Sequence, residues 1–270
     1  MRILITGAFG QLGHSLQSVL SKKSNYELVC TGRKIKKSQE GIPLDIRNQV
    51  ALKEIINTTA PDILINLAAM TNVDACELNP KLAGEINVAG LEHICDSFKG
   101  KIIHLSTDYV FDGTSGPYKE DDPLNPISIY GKTKLASEYI LLEKDIKNLV
   151  IRGNVLYDYS PHSSASFLNW VVSSLKDNQE IKVVEDQFNN PTWTRSMSDI
   201  IELSIENDLE GIIHWGDSEH ISRFEFAKLI AKKFSQNESL IKPVLTSELN
   251  QPARRPLQSG LSTEKLVNML

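Results

Sequence analysis

The chain has 270 residues, 29 basic against 34 acidic side chains for a formal charge of −5, and 41% hydrophobic residues. That length accommodates one large α/β unit or a domain with a smaller appendage, with core enough to stand without disulfide staples. No apolar run approaches the ~18 residues of a membrane helix, and phosphate neutralisation would need a Lys/Arg block that the sequence lacks, so neither membrane nor nucleic acid is expected as a partner.

A small molecule is the expected partner instead. Cys30, Cys76 and Cys95 lie at wide spacings without a Cys-x-x-Cys pair, which predicts reduced structural thiols. The apolar stretch Ile3-Leu4-Ile5 is too short for a signal-peptide core, so a cytoplasmic location is expected.

In chain order, the first predicted strand, Arg2 to Thr6, runs into Thr6-Gly7-Ala8-Phe9-Gly10-Gln11-Leu12-Gly13 and then a helical pattern from near Gln11. Glycines at this junction permit the sharp turn, let backbone approach a pyrophosphate and let helix pack on strand, while the helix start offers free N–H groups to phosphate. The second strand, Glu27 to Thr31, ends in Thr31-Gly32-Arg33-Lys34. NAD-preferring dinucleotide folds usually carry an acid here for the ribose 2′-hydroxyl. Arg33 and Lys34 would instead welcome a 2′-phosphate, so NADP(H) is favoured and NAD(H) is the alternative.

A helix follows near Val50, a strand at Asp62 to Leu67, a helix near Pro80 and a strand at Lys101 to Leu105. Both strands are almost continuously apolar, which predicts burial on both faces of a parallel sheet. Ser106-Thr107 closes the second of them, at the carboxyl end where open α/β sheets hold ligands. The Gly/Pro-rich stretch from Asp112 to Pro126 is a long loop, for which a functional role is favoured. Just beyond it, Tyr130 and Lys134 stand four apart at a helix start and share one face. A phenol is a poor proton carrier near neutrality, and a neighbouring ammonium would lower its pKa.

After the strand Asn148 to Arg152 the alternation becomes irregular, with helix starts near Ser164, Ser196, Ser222 and Ser262. Ser222-x-x-Glu225 has the form of a capping box, while Ser262 is expected to act as a simple N-cap. His14, His93, His162, His214 and His220 show no metal-ligand spacing, and no metal site is predicted. His104, inside a buried strand, reads as a satisfied core residue. Asp121 and Asp122 read as solvated.

The glycine turn, Asn66-Leu67-Ala68-Ala69, Ser106-Thr107-Asp108-Tyr109-Val110-Phe111 and Tyr130-x-x-x-Lys134 together resemble the extended short-chain dehydrogenase/reductase family. The runs Ala60 to Asp74, Asp186 to Thr192 and Pro252-Ala253-Arg254-Arg255-Pro256 resemble, within it, the dTDP-4-dehydrorhamnose reductases. The resemblance implies an α/β fold, a doubly wound parallel Rossmann sheet with a smaller C-terminal substrate-binding lobe. Residues 1–152, completed by part of 185–218, would hold the dinucleotide, and 153–270 mainly the substrate, with interleaved connections. It implies NAD(P)H-dependent reduction of a nucleotide-linked 4-ketosugar, and leaves a homodimer open.

Residue by residue, it implies a catalytic trio of Thr107, Tyr130 and Lys134, with Lys134 also holding the nicotinamide ribose. The pyrophosphate would lie at Gly7, Gly10, Gln11, Leu12 and Gly13, the adenine near Asp45 and Ile46, and the ribose and nicotinamide along Ala68, Ala69 and Thr71. Val73, Thr107, Asp108 and Tyr109 would face the sugar, and Arg255 the substrate phosphates. Where such reductases carry an aromatic residue, this chain has Val155, which leaves the sugar itself undetermined. The rivals are a non-catalytic dinucleotide-binding regulatory subunit and another nucleotide-sugar reductase or epimerase of the same superfamily. Tyr109, where dehydratases carry an acid, argues against elimination.

Overall fold

Ile3, Leu4 and Ile5 are all fully buried, yet they belong to different cores, because successive side chains of a strand point to opposite faces. In the computed structural model, which describes residues 1–159 and 166–270, this strand (β1, Arg2–Thr6) lies inside a seven-stranded sheet. With β2 (Glu27–Gly32), β3 (Ile42–Pro43), β4 (Ile63–Asn66), β5 (Lys101–Thr107) and β6 (Asn148–Gly153), the sheet runs in the order Gly211–Trp215, β6, β5, β4, β1, β2, β3. Every pairing in it is parallel.

Ile3 and Ile5 pack with Leu12, Leu16 and Leu20 of α1 (Gln11–Leu20) and with Met197, Ile200 and Ile201 of the Thr194–Glu206 helix. Leu4, Leu64, Ile102 and Val150 face the opposite layer, formed by Leu52, Ile55 and Ile56 of α2 (Gln49–Thr59) with Leu91, Ile94 and Leu141. The sheet is therefore doubly wound. Its strand order reverses between β1 and β4, which opens a crevice at their carboxyl ends.

A third core sits apart from the sheet, where the Phe167–Lys176 and Arg223–Lys233 helices pack on the parallel pair Ile181–Val184 and Ile241–Val244. The five strands read from the sequence all form, extended by one or two residues at β2, β5 and β6 and trimmed by one at each end of β4. β3 escapes that reading because it is two exposed residues without a periodic signal. The helix predicted near Ser164 begins at Phe167; Ser164 and His162 lie outside the described residues.

Ser222 and Glu225 do form the capping box. The helix near Ser262 begins instead at Glu264, with Thr263 at its cap and no side-chain cap bond, a correction to the expected role of Ser262. The three cysteines are free, and burial pushes their thiols up to about 11. Among the described residues, no helix is long and apolar enough to cross a membrane.

Candidate active site

Gly7 has φ +70°, and a Cβ there would stand 2.7 Å from the backbone nitrogen of Ala68. The turn after β1 thus requires glycine on two counts, backbone conformation and closeness to the chain leaving β4. At Gly13 a Cβ would lie 2.3 Å from the carbonyl oxygen of Ala8, so α1 can lie this close to the turn only without a side chain. Gly10 caps α1 without any side-chain bond, leaving the first-turn N–H groups of Gln11, Leu12 and Gly13 without a capping side chain. A cleft of about 190 Å³ opens beside them, lined by Gly7, Phe9, Gly10, Gly32, Arg33 and Lys34. The sequence-predicted pyrophosphate turn and the basic end of β2 thus border one cleft.

Asp45 is held by Arg47 at 2.7 Å, and that guanidinium, chiefly through this bond, keeps the carboxyl below its ordinary range. The Ile46 side chain is core, packed beside Gly90, while its carbonyl meets His93 Nδ1 at 3.2 Å. The stretch holding Ala68, Ala69 and Thr71 is fixed from outside. Asn87 accepts from Met70 N–H (2.7 Å), donates to the Met70 carbonyl (3.1 Å) and donates to Thr133 Oγ1 (3.0 Å), which in turn donates to the Tyr130 carbonyl (2.8 Å). Asn87 occupies a π-helical turn, Glu85–Ala89, between the Pro80–Gly84 and Gly90–Ser97 helices. The sequence reading missed it, since a widened turn has no periodic signature.

The structure brings Thr107, Tyr130 and Lys134 to the carboxyl end of β5. Thr107 caps a short 3₁₀ turn, Asp108–Val110, accepting from Tyr109 N–H at 3.3 Å and donating to Asp108 at 3.1 Å. Tyr130 lies in the first turn of the Ile129–Leu142 helix, capped by Ser128, with its phenol close enough to Thr107 for that hydroxyl to act on its proton. Gly131 allows that helix to approach the Tyr109 carbonyl, 2.1 Å from where a Cβ would be.

Lys134 Nζ donates to the Leu105 carbonyl at 2.6 Å and lies 3.0 Å from His104 Nε2. The proton positions follow from the network. The Ala68 N–H donates to Asn66 Oδ1, so Asn66 turns its Nδ2 towards His104 Nδ1, 3.1 Å away, and that nitrogen accepts. The ring proton is then on Nε2, facing Ser137 Oγ and Lys134 Nζ. Ser137 Oγ, which gives its own hydrogen to the Lys134 carbonyl, accepts from that N–H, and burial, opposed by the Glu138 carboxylate, brings the Lys134 pKa down to about 8. His104 is a satisfied core residue, as read from the sequence, but one of its partners is Lys134.

The expectation that Lys134 lowers the Tyr130 pKa is not met in this structure. Burial raises the Tyr130 pKa and Thr107 opposes that rise, while the Lys134 amine donates to the Leu105 carbonyl and lies beside His104.

On the substrate side, Val73 opens the Val73–Leu78 helix behind its cap Asn72. Asp108 is buried, which raises its pKa, and it accepts from Ser259 Oγ at 2.5 Å. The Tyr109 ring stands edge-on to Tyr130, 5.5 Å between centroids. Val155 has φ +39°, a left-handed conformation that is costly for a β-branched residue, and packs at the margin of the third core. Arg255 does reach an anion, but a protein one: its two terminal nitrogens bond Asp74 at 2.9 and 2.6 Å.

Behind Thr107, Arg152 and Glu138 form an ion pair at 2.7 Å, each only 1% exposed, with Ser106 donating to Glu138 and His214 Nε2 3.2 Å from Arg152. The Asp112 to Pro126 loop closes over this pair. Tyr118 donates to Asp112 and stacks on Phe111, and Glu120 accepts from His214 N–H. A larger cavity, about 370 Å³, borders Tyr157, Leu168, Phe226 and Phe234 in the third core and includes none of the predicted site residues.

The family described as RmlD substrate binding domain matches residues 1–270. A dTDP-4-dehydrorhamnose reductase of Aggregatibacter actinomycetemcomitans is 31% identical, covering 98% of this chain and 92% of its own. The solved structure of a Bacillus anthracis dTDP-4-dehydrorhamnose reductase in complex with NADP is 31% identical with a TM-score of 0.90, over 99% of this chain and 92% of that one. The methionine adenosyltransferase 2 subunit beta of Xenopus laevis is 30% identical over 99% of this chain and 82% of its own. With a match over all 270 residues and these relatives across almost its full length, the chain belongs to the RmlD substrate-binding-domain family of extended short-chain dehydrogenases/reductases.

Proposed function

We propose that the protein is an NADPH-dependent reductase of a dTDP-linked 4-ketosugar. The observation that carries this reading is the convergence of Thr107 and Tyr130, with Lys134 one helical turn on, at the carboxyl end of β5, on a chain whose relatives include dTDP-4-dehydrorhamnose reductases.

The residues present fit the coenzyme. The glycine turn leaves room that a Cβ would fill, the uncapped start of α1 suits a pyrophosphate, and Arg33 and Lys34 on the same cleft suit a 2′-phosphate, which favours NADPH over NADH. When bound, the coenzyme supplies the hydride that reduces the ketone carbon. Tyr130 delivers the proton to the carbonyl oxygen, so the ketone leaves as an alcohol. Thr107, at the end of β5 near the Tyr130 phenol, directs that oxygen to the proton. Lys134, one helical turn beyond Tyr130 on the same face, holds the nicotinamide ribose, and Asn87 fixes the Met70 loop against the helix bearing Tyr130. The larger part of the rate enhancement comes from holding the two reactants in register.

The test is NADPH oxidation with a dTDP-4-keto-6-deoxyhexose, comparing the intact protein with Tyr130→Phe. The expected result is turnover in the first and a fall of about 10²–10⁴-fold in the second, with NADPH affinity kept. Equal turnover in the two would refute the assignment of Tyr130. The rival, a regulatory subunit such as the methionine adenosyltransferase relative suggests, predicts coenzyme binding with no turnover of any sugar.

A further inference from the structure

Leu4, Leu64 and Ile102 stand side by side in register on β1, β4 and β5 and belong to one buried apolar core. Two residues further along each strand, on the same face, the row turns polar: Thr6, Asn66 and His104 are again neighbours in register, each at most 2% exposed. Buried polar groups need partners, and here they find one another in a line. Thr6 Oγ1 donates to Asn66 Oδ1 at 2.6 Å, Asn66 Nδ2 donates to His104 Nδ1 at 3.1 Å, and His104 Nε2 donates to Ser137 Oγ at 3.1 Å. The Ser137 hydroxyl in turn donates to the Lys134 carbonyl at 2.6 Å.

The row ends on Lys134 twice. Through Ser137 it reaches the backbone of that residue, and the His104 ring edge itself stands 3.0 Å from Nζ, which donates to the Leu105 carbonyl on the same strand. At its other end is Thr6, the residue before Gly7, so the row starts on the strand that enters the glycine turn. Side chains from three strands thus tie that turn to the lysine. Apolar residues of like volume would fill the row without needing partners, whereas a fully satisfied polar row fixes one arrangement of its members.

An imidazole suits the last place in this row because its two nitrogens face different neighbours in different roles, Nδ1 accepting and Nε2 donating. Burial, with the Lys134 charge beside it, holds the His104 pKa well below its ordinary value, so the ring stays neutral and Nδ1 remains an acceptor. Building on the reductase reading above, in which Lys134 holds the nicotinamide ribose, we infer that His104 is a positioning residue for Lys134. Anchored through Asn66 to the strand of the glycine turn, it sets where the lysine meets the coenzyme. The pyrophosphate and the nicotinamide ribose are thereby held at a set separation, which keeps the nicotinamide in register with the ketone.

The experiment titrates the full chain with NADPH and, separately, with 2′,5′-ADP, which carries the adenosine half and the 2′-phosphate but no nicotinamide ribose. The proteins are the unmodified chain, His104→Leu, His104→Gln, Lys134→Met and the double variant His104→Leu with Lys134→Met, with kcat for the ketosugar measured on the first three. For His104→Leu the expected result is an NADPH Kd raised about 3- to 10-fold, the range for a lost hydrogen-bonded contact, and a kcat lowered about 10- to 100-fold by misplacement. The Kd for 2′,5′-ADP stays within about twofold, since the glycine turn and Arg33 are untouched. His104→Gln, which keeps an N–H donor for Ser137, recovers most of the loss. In the Lys134→Met background, His104→Leu adds less than about twofold to the NADPH Kd, because the group it acts through is gone.

If His104→Leu folds poorly, Ser137→Ala, which cuts the link from His104 to the Lys134 carbonyl, is judged by the same criteria. An NADPH Kd within about twofold of the unmodified value would overturn the inference while leaving the reductase reading intact. So would a parallel loss of 2′,5′-ADP binding, which marks a general loosening of the fold, or an equal loss with and without Lys134. Failure of the unmodified protein to reduce the sugar, or Lys134→Met with unchanged NADPH affinity and turnover, would remove the reading on which the inference rests.

Discussion

Lys134 is a lysine only 2% exposed, and its replacement by methionine gives a quantitative test. A fall in its pKa from the ordinary 10.5 to about 8 corresponds to about 3 kcal/mol held against the ammonium in the folded state. Because the folded value is the lower one, the unfolded chain binds the proton more tightly. The penalty is therefore carried in full below about pH 8, and stability attributable to this group rises as pH increases towards 10.5. At neutral pH, Lys134→Met removes that penalty but takes its donor from the Leu105 carbonyl, at about 1–3 kcal/mol, while the His104 N–H keeps Ser137 Oγ as its acceptor. The two effects oppose one another, and the variant should unfold at a urea concentration close to or somewhat above the unmodified protein's while losing reductase activity. The informative quantity is the difference between the two proteins in unfolding free energy, measured in urea from pH 7 to pH 10.5. It should move by about 3 kcal/mol in favour of the lysine form across that interval. A difference constant to within about 1 kcal/mol would show that the amine titrates as it does in the unfolded chain, and would refute the depressed pKa attributed to its burial.

Other substitutions probe the cleft and its support. Gly13→Ala would place a Cβ 2.3 Å from the Ala8 carbonyl oxygen, costing about 1–3 kcal/mol in overpacking and raising the NADPH Kd; fluorescence titration of NADPH and a thermal melt read both. Arg33→Ala should raise KM for NADPH about tenfold and leave KM for NADH near its starting value, since only the former carries a 2′-phosphate; parallel shifts would remove Arg33 from coenzyme selection. Glu138→Ala leaves the Arg152 guanidinium buried without its counter-charge and should lose about 3–5 kcal/mol in urea unfolding. Pairing Glu138→Leu with Arg152→Met should recover much of that loss.

The sheet was legible because each of its main strands announced itself independently: Ile63 to Ile65 and Ile102 to Ile103 are apolar without alternation, as a strand covered on both faces must be. The glycine turn was legible for a similar reason, since Gly7 and Gly13 stand where nothing larger fits. Tyr130 and Lys134 were found through spacing, but spacing could not show where the Lys134 amine points. That direction is set by His104 and by the Leu105 carbonyl, thirty residues away in the chain, and no local pattern encodes it. Arg255 illustrates the same limit from the other side: the Arg-Arg-Pro run marks it as an anion binder, but the anion it meets in the fold is Asp74, 181 residues away in the chain. Asn87 depends on a π turn that shifts the helix phase by one residue, which disguises it in a period of 3.6.

The bond from Ser259 to Asp108 joins residues 151 positions apart and meets the very turn that carries Thr107. Thr107, Tyr130 and Lys134 are all in place by residue 134 of the sequence, but the group that fixes the neighbouring Asp108 comes from a late segment whose backbone bonds Gly113 and Phe188. A chain clipped short of Ser259 would lack the clasp that orients Asp108, and with Leu266 it would lose part of the core beneath the sheet.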